Sequence, residues 1–206
     1  MRLVAGSLLL VMLAACAPAT TVSTPSTGTS GYLGAEITTP YQLPDLTLTA
    51  STTGGDFNLR TGSDKPALVV FFGYTNCADI CLSTLTDLAT AMNRVPDDVR
   101  AKLQVLFVTV DPERDTPTAL AAYLARIDPG FIGLTGAQAD IETVAAALGV
   151  AVESGHQHHD NGAYDVSHSS QVIGIDAARQ GVVVWTQGTP ISTYRVDFEH
   201  LVRQQR

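Results

Sequence analysis

The chain has 206 residues, 45% of them hydrophobic and 16% charged, with 12 Lys and Arg against 20 Asp and Glu and a formal net charge of −8. This length allows one domain of ordinary size plus extensions, and so apolar a composition excludes a disordered chain. The acidic balance argues against nucleic acid and against a polybasic membrane patch, and three cysteines are too few for a disulfide scaffold and cannot all pair within the chain.

Residues 1–15, MRLVAGSLLLVMLAA, carry one Arg and then an apolar run from Leu3 to Leu13. The run is too short for a mature bilayer-spanning helix but suits the core of a signal peptide. It closes on Leu13-Ala14-Ala15-Cys16, which resembles the lipobox of bacterial lipoproteins. The resemblance implies cleavage before Cys16 and acylation of that cysteine; the alternative is an ordinary cleaved signal in which Cys16 is incidental. Ala17 to Ser30 is Thr, Ser, Pro and Gly with almost nothing to bury, so residues 16–34 are expected to form a solvated tether. Two or more acyl chains on Cys16 would anchor the chain durably, with its domain on the extracytoplasmic side of the plasma membrane, in the cell envelope.

Residues 35–206 are assigned to one globular domain. Leu46 to Thr49 alternates, STTGGD supplies a turn, and Phe57 to Arg60 alternates again, which predicts a hairpin. Ala67 to Phe72 is an uninterrupted apolar run, expected as a strand buried on both faces. Leu82, Leu85, Leu88, Ala89 and Met92 recur at helical spacing, and Leu103 to Val110 reads as a second buried strand. Asp115 or Thr116 can cap a helix that has Pro117 at its first position and runs to about Ile127. A further helix is expected from Ala139 to Leu148, stopped by Gly149, then a short strand from Val150 to Glu153. Gln171 to Asp176 and Val182 to Trp185 read as strands joined by a turn, and Phe198 to Gln204 as a closing helix. The order predicts an α/β, thioredoxin-like three-layer fold with an N-terminal β-hairpin extension and an inserted helix.

Between the first buried strand and its helix stands GYTNCADIC, residues 73–81. Spacing of i and i+4 is expected to place Cys77 and Cys81 on one face of a first helical turn, where unpaired N–H groups favour thiolate. Two such sulfurs can close into a disulfide, exchange disulfides or chelate a soft metal, and the spacing does not choose.

GYTNCADIC, then VTVDPERDTP, then YDVSHSS before a strand, in that order, resemble the Sco/SenC family over the chain from about Leu43 onward. The resemblance implies a thioredoxin-like fold, copper binding and a role in assembling the dinuclear copper centre of cytochrome c oxidase. By position it implies that Cys77 and Cys81 are thiolate ligands and His168 an imidazole ligand. It also implies, as partner, a copper-receiving oxidase subunit or another copper chaperone. One departure is visible: the family usually has Pro after the second cysteine, and this chain has Leu82. Two thiolates and one imidazole suit copper by ligand softness, thiolate favouring Cu(I) and imidazole serving Cu(II) as well, although zinc accepts the same set. Asp111 and Asp115 also fall in matching positions; capping is the expected role of Asp115, and of Asp111 rather than orienting a ligand or docking a partner.

His156, His158 and His159 gather in one polar loop upstream of His168 and lie outside the family pattern. Such a tract can capture metal or can be a solvated loop. His200 is expected at the surface. Two functions fit the dithiol: a membrane-tethered copper chaperone, or a thiol–disulfide oxidoreductase that reduces a partner's cysteines before metal loading. A peroxide-reducing thiol enzyme fits less well, because its attacking thiolate would not need His168.

Overall fold

The computed structural model describes residues 31–77, 79–152, 157–158, 164–165 and 168–204. Its two uninterrupted apolar runs lie side by side at the centre of the sheet. Strand β4 (Ala67–Gly73) is buried along its whole length and pairs in parallel with β5 (Leu103–Thr109), in register from Ala67 opposite Leu103 to Gly73 opposite Thr109. Because side chains alternate along a strand, Ala67, Val69 and Phe71 enter one core and Leu68, Val70 and Phe72 the other.

The first core lies under α1 (Ile80–Met92), α3 (Pro117–Leu124) and α5 (Ile191–Arg203), and the second under α4 (Gln138–Ala147). Helices on both faces of one sheet give the expected three layers. The sheet continues through β6 (Ile132–Thr135), parallel to β5, on one side and through antiparallel β9 (Val172–Ile175) and β10 (Gln180–Trp185) on the other. The predicted hairpin is present as β2 (Thr47–Ala50) and β3 (Asp56–Asn58), with β2 docked antiparallel on β6. The full order of the eight-stranded sheet is β1-β10-β9-β4-β5-β6-β2-β3, with β1 (Ala35–Gln42) on the far edge.

Several expectations need correction. Strands β1 and β6 and the short helix α2 (Asp97–Arg100) have no counterpart in the sequence reading, and the insertion after α3 is a strand plus a helix rather than a helix alone. The strand expected from Val150 to Glu153 is, among the described residues, a single bridge between Val152 and His168. Helix α5 starts at Ile191 rather than near Phe198. Its buried positions, Tyr194, Asp197, Phe198, Leu201 and Val202, keep helical spacing, but a carboxylate occupies one of them and breaks the apolar pattern. Asp197 is fully buried and accepts from Leu33 N at 2.7 Å, Gly34 N at 2.8 Å and Trp185 Nε1 at 2.7 Å, so it fastens the start of the described chain to the core.

Helix ends follow local chemistry. Thr116 caps α3 by accepting from Ala119 N at 3.2 Å, and Pro117 occupies the first turn as predicted. Gly149, just past α4, has φ +68°, a conformation open to glycine and strained for most other residues.

Candidate functional site

The carboxyl end of β4 delivers the chain to the cysteine loop. Cys77 precedes α1 instead of lying within it: its amide donates to Tyr74 O at 3.2 Å in a turn, and the helix opens only at Ile80. Cys81 is in the first turn of α1 and fully buried, and Cys77 is half-buried. The two thiols are free, and Cys77 is close enough to act on the Cys81 thiol. Burial pushes the Cys81 thiol well above its ordinary range, the contact with Cys77 adds to this, and a backbone hydrogen bond from Tyr74 opposes it. The thiolate expected from the helix terminus is therefore not the resting form of Cys81; desolvation outweighs the helix end.

Gly73 makes room for this buried sulfur. A Cβ there would stand 2.9 Å from Cys81 Sγ and 2.7 Å from Phe107 Cε2. Glycine ends β4 because the sulfur and the ring approach its backbone too closely for any side chain.

Asp115 does not cap α3. It is fully buried and accepts from Thr75 N at 2.9 Å, Thr75 Oγ1 at 2.5 Å and Thr109 Oγ1 at 2.6 Å. It thereby ties the cysteine loop to the end of β5. Asp111, also fully buried, pairs through its carboxylate with Arg114 Nε. The Arg114 guanidinium lies 5.8 Å from the centre of the Tyr74 ring, and that ring meets His168 edge-on at 6.1 Å. A row of contacts thus runs from Asp111 through Arg114 and Tyr74 to His168, and the cap of α3 is Thr116, not Asp111.

His168 is half-buried, held by its bridge to Val152, and its Nδ1 lies 2.9 Å from Ser169 O. A carbonyl can only accept, so Nδ1 carries the proton and the lone pair falls on Nε2. Burial lowers the imidazole pKa, with the Ser169 contact opposing, so the ring is neutral and able to ligate. The structure brings Cys77 and Cys81 together and sets His168 against Tyr74, three positions before Cys77. Among the described residues, no three His, Cys, Asp or Glu side chains already converge on a point that could hold an ion. Cys16, His156 and His159 lie outside the described residues, and His158 is placed only by the pairing of β7 (Gln157–His158) with β8 (Tyr164–Asp165). His200 stacks edge-on against Tyr32 at 4.6 Å. Among the described residues, no helix is long and apolar enough to cross a membrane.

Sequence reasoning missed Thr75, Arg114, Tyr74 and the true partner of Asp115. Thr75 and Asp115 are 40 positions apart, and no local pattern links them.

A dithiol between the central strand and first helix of a thioredoxin-like sheet, with a neutral imidazole beside the same loop, defines a thioredoxin-fold protein that handles thiols or soft metals. The sequence profile described as SCO1/SenC matches residues 37–203, and the chain belongs to that family. It is 33% identical over 164 residues to the human protein SCO1 homolog, mitochondrial, covering 69% of this chain and 54% of that one. It is 38% identical over 136 residues to an SCO2-like protein of Rickettsia conorii, covering 60% of this chain and 64% of the relative. The chain thus spans less than two thirds of the length of either relative. Among solved structures, apo Sco1 of Thermus thermophilus superposes with a TM-score of 0.71 at 28% identity, over 82% of this chain and 96% of that one. Yeast Sco1 with copper bound gives 0.69 at 26% identity, over 85% and 91%.

Proposed function

We propose that this chain is a membrane-anchored copper chaperone that takes copper through Cys77, Cys81 and His168 and passes it toward the copper centre of cytochrome c oxidase. The observation that carries the reading is the paired thiols beside an imidazole whose Nδ1 proton is engaged, leaving Nε2 as the ligating atom. Two sulfurs and one nitrogen favour copper, and three protein ligands leave a position through which the ion can be handed on. The copper-bound yeast relative supports the same cargo. Because the three ligands do not already converge, loading is expected to draw His168 and the sulfurs together.

Cys16 supplies the lipid anchor and the domain works on the extracytoplasmic side; the tether is shorter than the expected residues 16–34 and ends by residue 30, because Tyr32 packs against the core and Asp197 holds Leu33 and Gly34. His156, His158 and His159 collect copper ahead of the main site. Changing all three to Ala is expected to slow uptake without altering the final affinity at the cysteines; unchanged stoichiometry and uptake rate would remove this role.

The deciding experiment is copper titration of the purified protein against Cys77→Ser, Cys81→Ser and His168→Ala. Loss of either sulfur is expected to abolish tight Cu(I) binding, and loss of His168, a direct ligand in this reading, to weaken copper retention by at least about 10-fold, the lower bound for residues that merely support a ligand. Copper bound equally well without His168, together with fast thiol–disulfide exchange, would favour the second reading, a reductase of partner cysteines. The deep burial of Cys81 leaves Cys77 as the attacking sulfur in that case.

A further inference from the structure

Side chains alternate along β4, so Leu68, Val70 and Phe72 face the second core, and Tyr74, just past the strand, continues that series. Its half-buried ring packs against this second core, as does Val152, the residue that bridges to His168. Cys81 belongs to the first core, and Cys77 packs against it. Tyr74 therefore stands where the chain passes between the two faces of the sheet, with its backbone beside the cysteines and its ring beside the imidazole.

Each of the three proposed copper ligands meets Tyr74 separately. Its carbonyl accepts from Cys77 N at 3.2 Å, and its backbone is a hydrogen-bond partner of the Cys81 thiol. Its ring centre lies 6.1 Å from that of His168 at an interplanar angle of 82°, an edge-to-face pairing within the favourable range for such rings. The main chain of His168 is fixed on both sides, by the bridge to Val152 and by Ser169 N, which donates to Ala151 O at 3.0 Å. Rotation of the imidazole is then the freedom that must be set. Ser169 O engages Nδ1 at 2.9 Å, and the Tyr74 ring packs against the imidazole from the side of the cysteine loop. The Tyr74 ring is backed in turn by the Arg114 guanidinium, 5.8 Å from its centre, and Arg114 pairs with the fully buried Asp111.

We propose that Tyr74 is a positioning residue for copper: its ring orients His168 toward the ion while its backbone holds the loop of Cys77 and Cys81. One residue thereby sets the imidazole and the sulfurs relative to each other. An aliphatic side chain could fill the same space but offers no flat ring for the imidazole to pair with. The effect is selective for oxidation state. Two thiolates largely satisfy Cu(I), whereas Cu(II) depends more on the imidazole, so the ring governs mainly the retention of Cu(II). The inference rests on the copper-binding reading above.

The test is the affinity of the full chain for Cu(I) and for Cu(II), with the potential of the bound ion, in wild type, Tyr74→Leu, Tyr74→Phe and Arg114→Gln. Tyr74→Leu is expected to weaken Cu(II) binding by about tenfold and Cu(I) binding far less. A tenfold loss confined to Cu(II) raises the potential of the bound ion by about 59 mV. Tyr74→Phe keeps the ring and is expected to stay within about twofold of wild type. Arg114→Gln keeps a donor for Asp111 but removes the cation beside the ring; it is expected to shift the potential in the same direction, and it carries the test if Tyr74→Leu does not fold. In the copper-free protein, the His168 ring protons are expected to lose their ring-current shift in Tyr74→Leu and to keep it in Tyr74→Phe. Equal weakening of both oxidation states, with the potential unchanged, would mean that Tyr74 only supports the loop and would overturn the proposal. Wild-type affinities and potential in Tyr74→Leu and Arg114→Gln would overturn it too, while leaving copper binding standing. A wild-type protein that takes up no copper would overturn the copper reading, and the role of Tyr74 with it.

Discussion

Asp115 holds Thr75 by both its backbone amide and its hydroxyl, at 2.9 and 2.5 Å, and so fixes the cysteine loop from a position 40 residues further along the chain. Thr109 Oγ1 completes the carboxylate at 2.6 Å. Replacing Asp115 with Ala strands three donors, one of them fully buried and two half-buried, and is expected to destabilise the protein by about 2–3 kcal/mol in urea unfolding. The conservative Thr109→Ser keeps the hydroxyl and is expected to stay close to wild type. If Asp115 serves only stability, the copper affinity of the folded fraction will not change in Asp115→Ala. Weaker affinity in that fraction is the expected result, because the loop that presents Cys77 loses its tie.

Gly73 and Cys81 make a second testable pair. Alanine at position 73 would place a methyl group 2.9 Å from Cys81 Sγ and 2.7 Å from the Phe107 ring, and neither neighbour is a loose surface group. The substitution is expected to lower stability by about 1–3 kcal/mol and to force Cys81 outward. Thiol labelling under native conditions reads this directly: Cys81 reacts slowly in the wild type and faster in Gly73→Ala. Unchanged labelling and melting would mean that the sulfur is not held by this contact.

How much of this the sequence shows depends on where the determining interactions lie. Strands β4 and β5 are legible because both faces are buried and the apolar runs are unbroken. Strand β1 is not, because its side chains are mostly exposed and it is a strand only by pairing with β10. Strand β6 is four residues long with Gly133 inside it, too short for a periodic signal. At the site, Cys77 and Cys81 stand out by type and spacing. The burial that keeps Cys81 protonated, and the Asp115 tie, arise between segments distant in sequence. Leu82 is visible as a departure from the family pattern, but the hollow it lines together with Tyr123 and Ile127 needs α3 to be in place.

Asp197 links the start of the described chain to the closing helix. Its carboxylate accepts from Leu33 N, Gly34 N and Trp185 Nε1 from a fully buried position in α5. Asp197→Ala is expected to cost about 2–3 kcal/mol. The amides of Leu33 and Gly34 are expected to lose hydrogen-exchange protection, and Trp185 fluorescence to shift as the indole N–H loses its partner. Copper affinity is expected to stay unchanged, since none of these groups belongs to the elements that present Cys77, Cys81 or His168. A matching fall in copper affinity would contradict that independence.

Anchoring is expected to depend on Cys16 alone. The whole chain has a net charge of −8, and cleavage before Cys16 would remove Arg2 as well, so net charge would not draw the protein to an anionic membrane. Among the described residues, no helix offers a membrane span either. Acyl chains on Cys16 would then account for all retention, with the Thr, Ser and Pro run letting the domain reach a membrane-bound recipient. Cys16→Ser is expected to move the protein from the membrane fraction to the soluble envelope fraction while purified copper binding stays intact. In cells the same variant is expected to supply the oxidase less well, because tethering raises the local concentration of donor near acceptor. Membrane retention of Cys16→Ser would show that another segment or a partner holds the chain there, and would remove the lipid anchor from the proposal.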